Sequence, residues 1–372
     1  MTLLERIDPQ EGNTALVRIE AGTISESGDM FEFVDDEGFT RHVSLPPSLS
    51  YLSEGDIIRV NFQAGQIRVL YRKQSPHNSL FFTERCNSRC IMCSQPPRDI
   101  NDDYLIDEIL AMIPLISPET KEIGITGGEP TLLGSSFLEV LQSLKTHLPK
   151  TSVHVLTNGR LFQDASLARA VAKIDHPDIM LGIPLYADVA WKHDFIVQSP
   201  GAFEQTVAGL DNLGRAGVPV EIRFVIHKQS AERMVQTARF IARHFPFARQ
   251  VALMGLEMMG FAKSNVNALW IEPREYADNL KRAVAELQFG KIPTLIYNHQ
   301  LCLLPSELWP FTCKSISDWK NIYVDECEKC DVRDSCGGFF ASSDFRRSSE
   351  IRAIKLSVSC PEHLLNKVGG TC

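Results

Sequence analysis

The sequence predicts an α/β fold: a partial (βα)6 barrel, preceded by a small β-rich region and followed by a cysteine-rich tail. Three observations predict it. From about residue 78 to residue 290, apolar runs of strand length alternate with amphipathic helical stretches, as βα units around a parallel sheet require. The first seventy or so residues instead carry short β-branched segments punctuated by Gly, Asp and Pro. The ten cysteines crowd into two places, 86, 90 and 93 in one and 302, 313, 327, 330, 336, 360 and 372 in the other. The expected domains are therefore 1–77, 78–290 and 291–372.

Taken in order, ALVRIEAGTI, MFEFVDDEG, TRHVSLP and DIIRVNFQAGQIRVLYR read as strands of a small β-barrel or sandwich. No motif marks its role, so a binding module and a folding accessory fit it equally. Strands then follow at 79–84, 121–126, 152–157, 178–186, 219–226 and 250–255. Helices fall between and after them at 103–116, 135–148, 166–174, 201–216, 231–244 and 273–288. Gly217 closes one of these and Pro273 opens another, each where helix ends favour it. Six units favour a partial barrel over a closed eight-stranded one, although an open doubly wound sheet would read similarly. In either architecture the chemistry belongs at the carboxyl ends of the strands. IPTLIYNHQLC reads as a further strand ending at Cys302, and the tail beyond it has too little periodicity to build its own core. Such a tail needs a staple, for which metal is the candidate.

Composition excludes several classes. With 372 residues, 44% hydrophobic and 23% charged, the chain has the balance of an ordinary soluble protein rather than a disordered, collagenous or coiled-coil one. No window approaches 18 uninterrupted apolar residues, so no spanning helix is expected. MTLLERIDPQEG lacks a basic n-region and an apolar h-region, and a cytoplasmic location is expected. A net charge of −8, from 38 basic and 46 acidic residues, with no long basic run, argues against nucleic acid or an anionic membrane as partner. In a reducing compartment, ten cysteines point to metal or redox chemistry rather than to structural disulfides.

LFFTERCNSRCIMCSQPP places Cys86, Cys90 and Cys93 in a C-x3-C-x2-C pattern directly after the first strand of the α/β region. Three thiolates in one short loop can hold three irons of a [4Fe-4S] cubane, whereas a closed zinc or ordinary iron-sulfur site takes four ligands. The remaining iron is then open to a substrate or cofactor. About forty residues on, ITGGEPTLLG follows the second strand with Thr126, Gly127, Gly128, Glu129 and Pro130. Paired glycines at a strand end let backbone approach a ligand closely.

Together, in this order and spacing, the two motifs resemble the radical S-adenosylmethionine (SAM) superfamily. The alternatives are a three-cysteine zinc site or a purely structural loop. The resemblance implies that the methionyl amine and carboxylate of SAM chelate the open iron. An electron from the cluster then cleaves the sulfonium, and the resulting 5′-deoxyadenosyl radical abstracts a hydrogen atom from substrate. It also implies contacts: the backbone at Met92 with the adenine, and Thr126 to Pro130 with the methionyl amine. Asn158 in LTNG and Tyr186 in GIPLY would meet the ribose, and Arg223 in EIRFVI the methionyl carboxylate. A turn Asn, a packed Tyr and an ordinary strand Arg are the plainer readings of the last three. Leu253 and Met254 resemble an adenine-packing stretch, for which core packing is the alternative.

In the tail, CEKCDVRDSCGGFF supplies Cys327, Cys330 and Cys336 as C-x2-C-x5-C. Joined to the upstream motifs it resembles the auxiliary-cluster domain called SPASM, or its shortened twitch relative. Phe340 stands where the full pattern has a cysteine, so one auxiliary cluster is expected rather than two. Cys302 is the favoured fourth ligand, with Cys313 and Cys360 as alternatives, zinc as the alternative metal and Cys372 as a spare thiol. NSRCIMCSQPP, LCLLPSELWPFTCKSISDWKN and CEKCDVRDSCGGFF, with the β-rich amino-terminal region, resemble the HxsC family of radical maturases of the His-Xaa-Ser peptide-modification system. That resemblance implies a precursor peptide as substrate, a partner radical SAM maturase and a flavodoxin- or ferredoxin-like electron donor. A radical enzyme acting on a small molecule and a non-catalytic Fe-S or zinc peptide-binding scaffold remain as alternatives.

Overall fold

The computed structural model describes residues 4–6, 14–19, 30–34, 40–44, 47–61, 64–314 and 322–356. Six strands come first: β1 (Leu4–Arg6), β2 (Thr14–Arg18), β3 (Met30–Val34), β4 (Thr40–Ser44), β5 (Ile57–Asn61) and β6 (Gln66–Tyr71). Among the described residues they form an antiparallel sheet in the order β1-β6-β5-β2 and a separate β3-β4 pair. Alternating side chains of this sheet, Ala15, Val17, Ile58, Val60 and Ile67, pack with Leu49 and Leu52 in a core of their own.

The chain then runs β7 (Asn78–Phe81), α1 (Tyr104–Met112), β8 (Glu122–Thr126), α2 (Ser135–His147), β9 (Ser152–Leu156), α3 (Ala165–Ile174) and β10 (Ile179–Pro184). It continues through α4 (Ala190–Val197), α5 (Ala202–Ala216), β11 (Val220–Ile226), α6 (Lys228–Ala231), α7 (Met234–His244) and β12 (Gln250–Gly255). Then come α8 (Gly260–Ser264), α9 (Val266–Leu269), α10 (Pro273–Phe289) and β13 (Thr294–Tyr297). The strands β7 to β13 form one parallel sheet in sequence order. An order that never reverses has no switch point of the doubly wound kind, so the open alternative is replaced by partial-barrel connectivity.

Each strand's two faces explain its sequence. In β11, Val220, Ile222, Phe224 and Ile226 are enclosed in the main hydrophobic core, while Glu221 and Arg223 point the other way. Glu221 meets Gln250 of β12 and lies 3.6 Å from His154 of β9, so this second face lines the barrel interior. Beneath β7, Phe82 packs edge-on against Phe137 of α2 with ring centroids 6.3 Å apart, an arrangement worth about 1 kcal/mol beyond area burial. The amino-terminal sheet docks on α1 through the Arg59 and Arg68 ion pairs to Glu108, and Tyr71 shares a 2.7 Å hydrogen bond with Thr120.

One expectation needs correction, and one element has no counterpart in the sequence reading. The seventh strand ends at Tyr297, because Asn298 takes φ +61° and turns the chain; Cys302 sits beyond it in the 3-10 turn Leu301–Leu303. Helix α4 was not foreseen, since Trp191, Phe195, Ile196 and Val197 are spread around it rather than gathered in one stripe. Among the described residues no helix is long and apolar enough to cross a membrane.

Candidate functional site

Cys86, Cys90 and Cys93 lie on the loop that leaves β7, at the carboxyl end of the sheet. The loop is braced from several elements. Asp102 accepts from Thr83 Oγ1 at 2.9 Å and from the Glu84 N–H at 2.5 Å, fixing the approach to Cys86. The Arg89 and Ile91 N–H groups donate to the Val197 and Ile196 carbonyls of α4 at 3.0 and 2.9 Å. Asn265 Nδ2 donates to the Ile91 carbonyl at 2.8 Å, and the Phe261 N–H of α8 donates to the Cys93 carbonyl at 2.8 Å. A Cβ on Gly260, which has φ +51°, would stand 2.5 Å from both the Cys93 and Ser94 carbonyl oxygens, so only glycine lets α8 approach the loop this closely.

The glycine pair after β8 faces the same loop. The Gly128 N–H donates to the Thr83 carbonyl at 2.6 Å and the Glu129 N–H to the Arg85 carbonyl at 2.8 Å. The close approach read from the sequence as ligand-directed is therefore, at these two N–H groups, an approach to the cysteine loop's own backbone. Glu129 is fully enclosed, and its carboxylate accepts from Thr131 N, Thr131 Oγ1, Thr157 Oγ1 and Asn158 N at 2.6 to 3.1 Å. Its side chain thus ties the β8 loop to the β9 loop. Asn158 continues the link, with Nδ2 donating to Asn87 Oδ1 at 2.6 Å and standing 3.9 Å from Cys86 Sγ.

The other carried-over positions fall into two groups. Met92 and Tyr186 pack together with Ile196, Val197, Ala262 and Leu269, and the Tyr186 ring stacks on His193 at 5.8 Å. Burial pushes the Tyr186 hydroxyl well up, which keeps it a proton donor. Arg223 points into the barrel, where Nη1 donates to Glu221 Oε1 at 2.6 Å and Nη2 to Met254 Sδ at 3.2 Å. Leu253 is buried in the main core, so of the adjacent pair it is Met254 that reaches Arg223. Sequence reading missed Asn265, α4 and Arg160, the residue after LTNG whose Nη1 donates to the Asn87 carbonyl; only the fold brings them to the loop.

The tail cysteines converge as well. Cys302, Cys327, Cys330 and Cys336 line one cavity, together with Tyr323, Arg333, Arg352 and apolar walls that include Leu301 and Ile354. Backbone N–H groups aim at the sulfurs: Leu301 N–H at Cys336 Sγ, 3.5 Å, and Ile354 N–H at Cys330 Sγ, 3.4 Å. Donors of this kind stabilise thiolates and tune clusters held by them. Cys313 is disulfide-bonded, so its sulfur is not available as the alternative fourth ligand and the expectation of no structural disulfide is corrected at this residue; Cys360 and Cys372 lie outside the described residues.

Residues 80–241 match the family model described as the Radical SAM superfamily. Over these residues, a little under half of the chain, it has a radical SAM superfamily domain. Among curated proteins, Fe-coproporphyrin III synthase of Methanosarcina barkeri is 28% identical over 153 residues, covering 40% of this chain and 36% of its own length. GTP 3′,8-cyclase of Rhodopseudomonas palustris is 27% identical over 160 residues, covering 40% of this chain and 44% of its own. The chain thus spans less than half the length of these curated relatives. Among solved structures, SuiB of Streptococcus suis bound to S-adenosylmethionine is similar with a TM-score of 0.48 at 14% identity, over 62% of this chain and 52% of that one. Coproporphyrinogen III oxidase (HemN) of Escherichia coli reaches 0.46 at 14% identity, over 59% and 54%.

The residues of the radical SAM domain fit the cluster that the superfamily implies. Burial pushes the Cys86 thiol up to about 11 and the Cys90 thiol up to about 12, so without a cation both are neutral and metal binding there releases protons. Among the described residues no three of His, Cys, Asp and Glu are gathered so as to hold a single metal ion. A cubane gives each iron its own thiolate, so its ligands stand further apart.

Three enclosed histidines give a pH dependence. Burial holds His193 at about 4, His227 at about 3 and His299 at about 4. The first two use Nδ1 as a neutral acceptor, for the N–H groups of Tyr186 and Gln229 at 3.2 Å each. Values depressed below the unfolded one mean that the unfolded chain binds more protons, so stability is present above about 6.5 and is lost as pH falls toward these values. At pH 5 the expected loss is about 2 kcal/mol per histidine. The urea midpoint, followed by circular dichroism at constant ionic strength, should therefore drop clearly between pH 7 and pH 5; a flat midpoint would contradict three neutral buried rings.

Proposed function

We propose that the chain is a radical SAM enzyme that holds a catalytic [4Fe-4S] cluster on Cys86, Cys90 and Cys93 and one auxiliary [4Fe-4S] cluster on Cys302, Cys327, Cys330 and Cys336. Its substrate is a ribosomally made peptide with His-Xaa-Ser repeats, modified alongside a partner maturase with a flavodoxin- or ferredoxin-like electron donor. The observation that carries the reading is the three-cysteine loop, braced at the carboxyl end of a parallel partial barrel and bonded directly to the GGEP segment. When bound, the cluster and SAM supply a reductive cleavage that yields a hydrogen-abstracting radical.

The chain's own groups have distinct roles in this reading. Backbone from Thr126 to Pro130 offers polar groups to the methionyl amine, while Glu129 holds that backbone in place through its four accepted hydrogen bonds. Asn158 and Tyr186 stand beside the ribose, and the Met92 backbone beside the adenine. Arg223 serves the methionyl carboxylate by exchanging its Glu221 contact for one of the same charge-assisted kind. The apolar shell of Met92, Ile196, Val197 and Leu269 excludes water.

A small-molecule substrate is the second reading, favoured by the names of the two curated relatives, a coproporphyrin synthase and a GTP cyclase. Anaerobic reconstitution followed by assay of 5′-deoxyadenosine separates them. Product formation stimulated by a His-Xaa-Ser peptide, with a mass change in that peptide, supports the first reading. Product without any change in the peptide supports the second. No product with or without peptide would leave a non-catalytic scaffold and overturn both.

A further inference from the structure

Arg160 follows the LTNG turn at the end of β9 and opens the 3-10 turn Arg160–Gln163. It is 9% exposed, which is rare for an arginine unless a carboxylate pairs with it. Its partners are all neutral: Nη1 donates to the Asn87 carbonyl and to Ser88 Oγ at 3.0 Å, and Nε donates to Gln205 Oε1 at 2.7 Å. Among the described residues no carboxylate pairs with it. Asp194, an acidic group of the same region, is turned to the Gly201 and Phe203 N–H groups at 2.6 and 2.8 Å. Glu129 is reached only through Asn158, whose backbone N–H donates to the carboxylate and whose Oδ1 accepts from the Arg160 N–H.

An enclosed guanidinium without a countercharge carries a large desolvation penalty, and hydrogen bonds to neutral oxygens offset only part of it. Asn87 and Ser88, which it grips, lie between Cys86 and Cys90. Three thiolates there would supply the missing negative charge in a setting of low dielectric, where charges act on one another strongly. We propose that Arg160 is a positioning residue whose fixed positive charge under the Cys86–Cys90 loop raises the reduction potential of the cluster those cysteines hold. The inference rests on the catalytic-cluster reading above and extends it to a residue outside the cysteine and GGEP motifs. Adding an electron to an anionic site is easier beside a buried cation, so removal of the charge makes the site harder to reduce.

The test compares wild type with Arg160→Lys, which keeps the charge, and Arg160→Gln, which keeps an N–H donor without it. A third variant, Gln205→Glu, sets a carboxylate against Nε while leaving the grip on Asn87 and Ser88 intact. Each full-length protein is reconstituted anaerobically, its iron counted, and the reduced-cluster EPR signal that responds to added SAM is followed through a redox titration. At the poise that half-reduces wild type, Arg160→Gln and Gln205→Glu should show a reduced-to-oxidised ratio at least about tenfold lower, equivalent to 59 mV for one electron. Arg160→Lys should stay within about threefold of wild type. An unmoved midpoint in Arg160→Gln, or equal displacement in Lys and Gln, would overturn the proposal in favour of a hydrogen-bond brace. Should Arg160→Gln load no iron, Gln205→Glu decides alone, and an unchanged midpoint there sinks it. Wild type without a SAM-responsive signal would instead overturn the cluster reading itself.

Discussion

Replacing Cys86, Cys90 and Cys93 together with Ala is expected to abolish SAM cleavage while leaving about four irons per chain, against about eight in wild type. The first number follows from ligation: three thiolates are what the loop offers, and alanine offers none. The second follows from separation, because the four tail cysteines line a cavity walled by Tyr323, Arg333, Arg352 and Ile354, none of which the substitutions touch. Folding should survive. The loop is held by main-chain bonds to the Ile196, Val197 and Phe261 backbone and by Asn265, and none of these uses a sulfur. The thermal midpoint by circular dichroism should therefore remain close to that of wild-type protein stripped of iron. A variant that still produces 5′-deoxyadenosine would reject the assignment. Twelve irons in the wild type would show that Phe340 does not mark the loss of a second auxiliary site.

Much of the barrel was legible because its signal is local. β8, β9, β11 and β12 lie within the expected bounds to a residue or so, since runs such as VEIRFVI bury alternate residues against helices whatever surrounds them. The end of β13 was not, because the turn at Asn298 depends on a left-handed backbone that Asn tolerates but does not announce. The candidate site divides in the same way. The three cysteines and the GGEP segment are contiguous motifs and can be read off. Arg160, Asn265 and the α4 carbonyls reach the loop from 72 to 174 residues away in sequence; LTNG stands just before Arg160 but does not itself point to the cysteine loop, and nothing near the others marks them. Glu129 was legible as a residue, but its role as a tie between loops was not. Its four donors come from two loops that only the parallel pairing of β8 and β9 brings side by side.

Gly128→Ala is expected to lose most of the iron at Cys86, Cys90 and Cys93, or to keep it with a SAM-cleavage rate about 100-fold lower, while the auxiliary irons stay. A Cβ at this position would stand 2.1 Å from the Arg85 carbonyl oxygen, 2.6 Å from its carbon and 2.9 Å from the Glu84 oxygen. All three are backbone atoms, so no rotamer change relieves the contact, and the residue carrying two of them directly precedes Cys86. Moving the segments apart breaks the Gly128–Thr83 and Glu129–Arg85 hydrogen bonds, each worth about 1 kcal/mol. It also displaces Cys86, the first ligand of the proposed cluster, and a misplacement of about 1 Å can lower a rate by about 100-fold. Gly124→Ala, within the strand that leads to Gly128, is the control. Its Cβ would meet Ser79 Oγ at 3.0 Å, a side-chain end that can turn away, so iron content and rate should stay near wild type. Equal effects at both positions would mean that a methyl group at either glycine disturbs the sheet alike and that the pairing of two loops is not what Gly128 protects. Iron counts and 5′-deoxyadenosine rates on the two variants distinguish the outcomes, and the expected contrast places the paired glycines in the architecture that presents the cysteines.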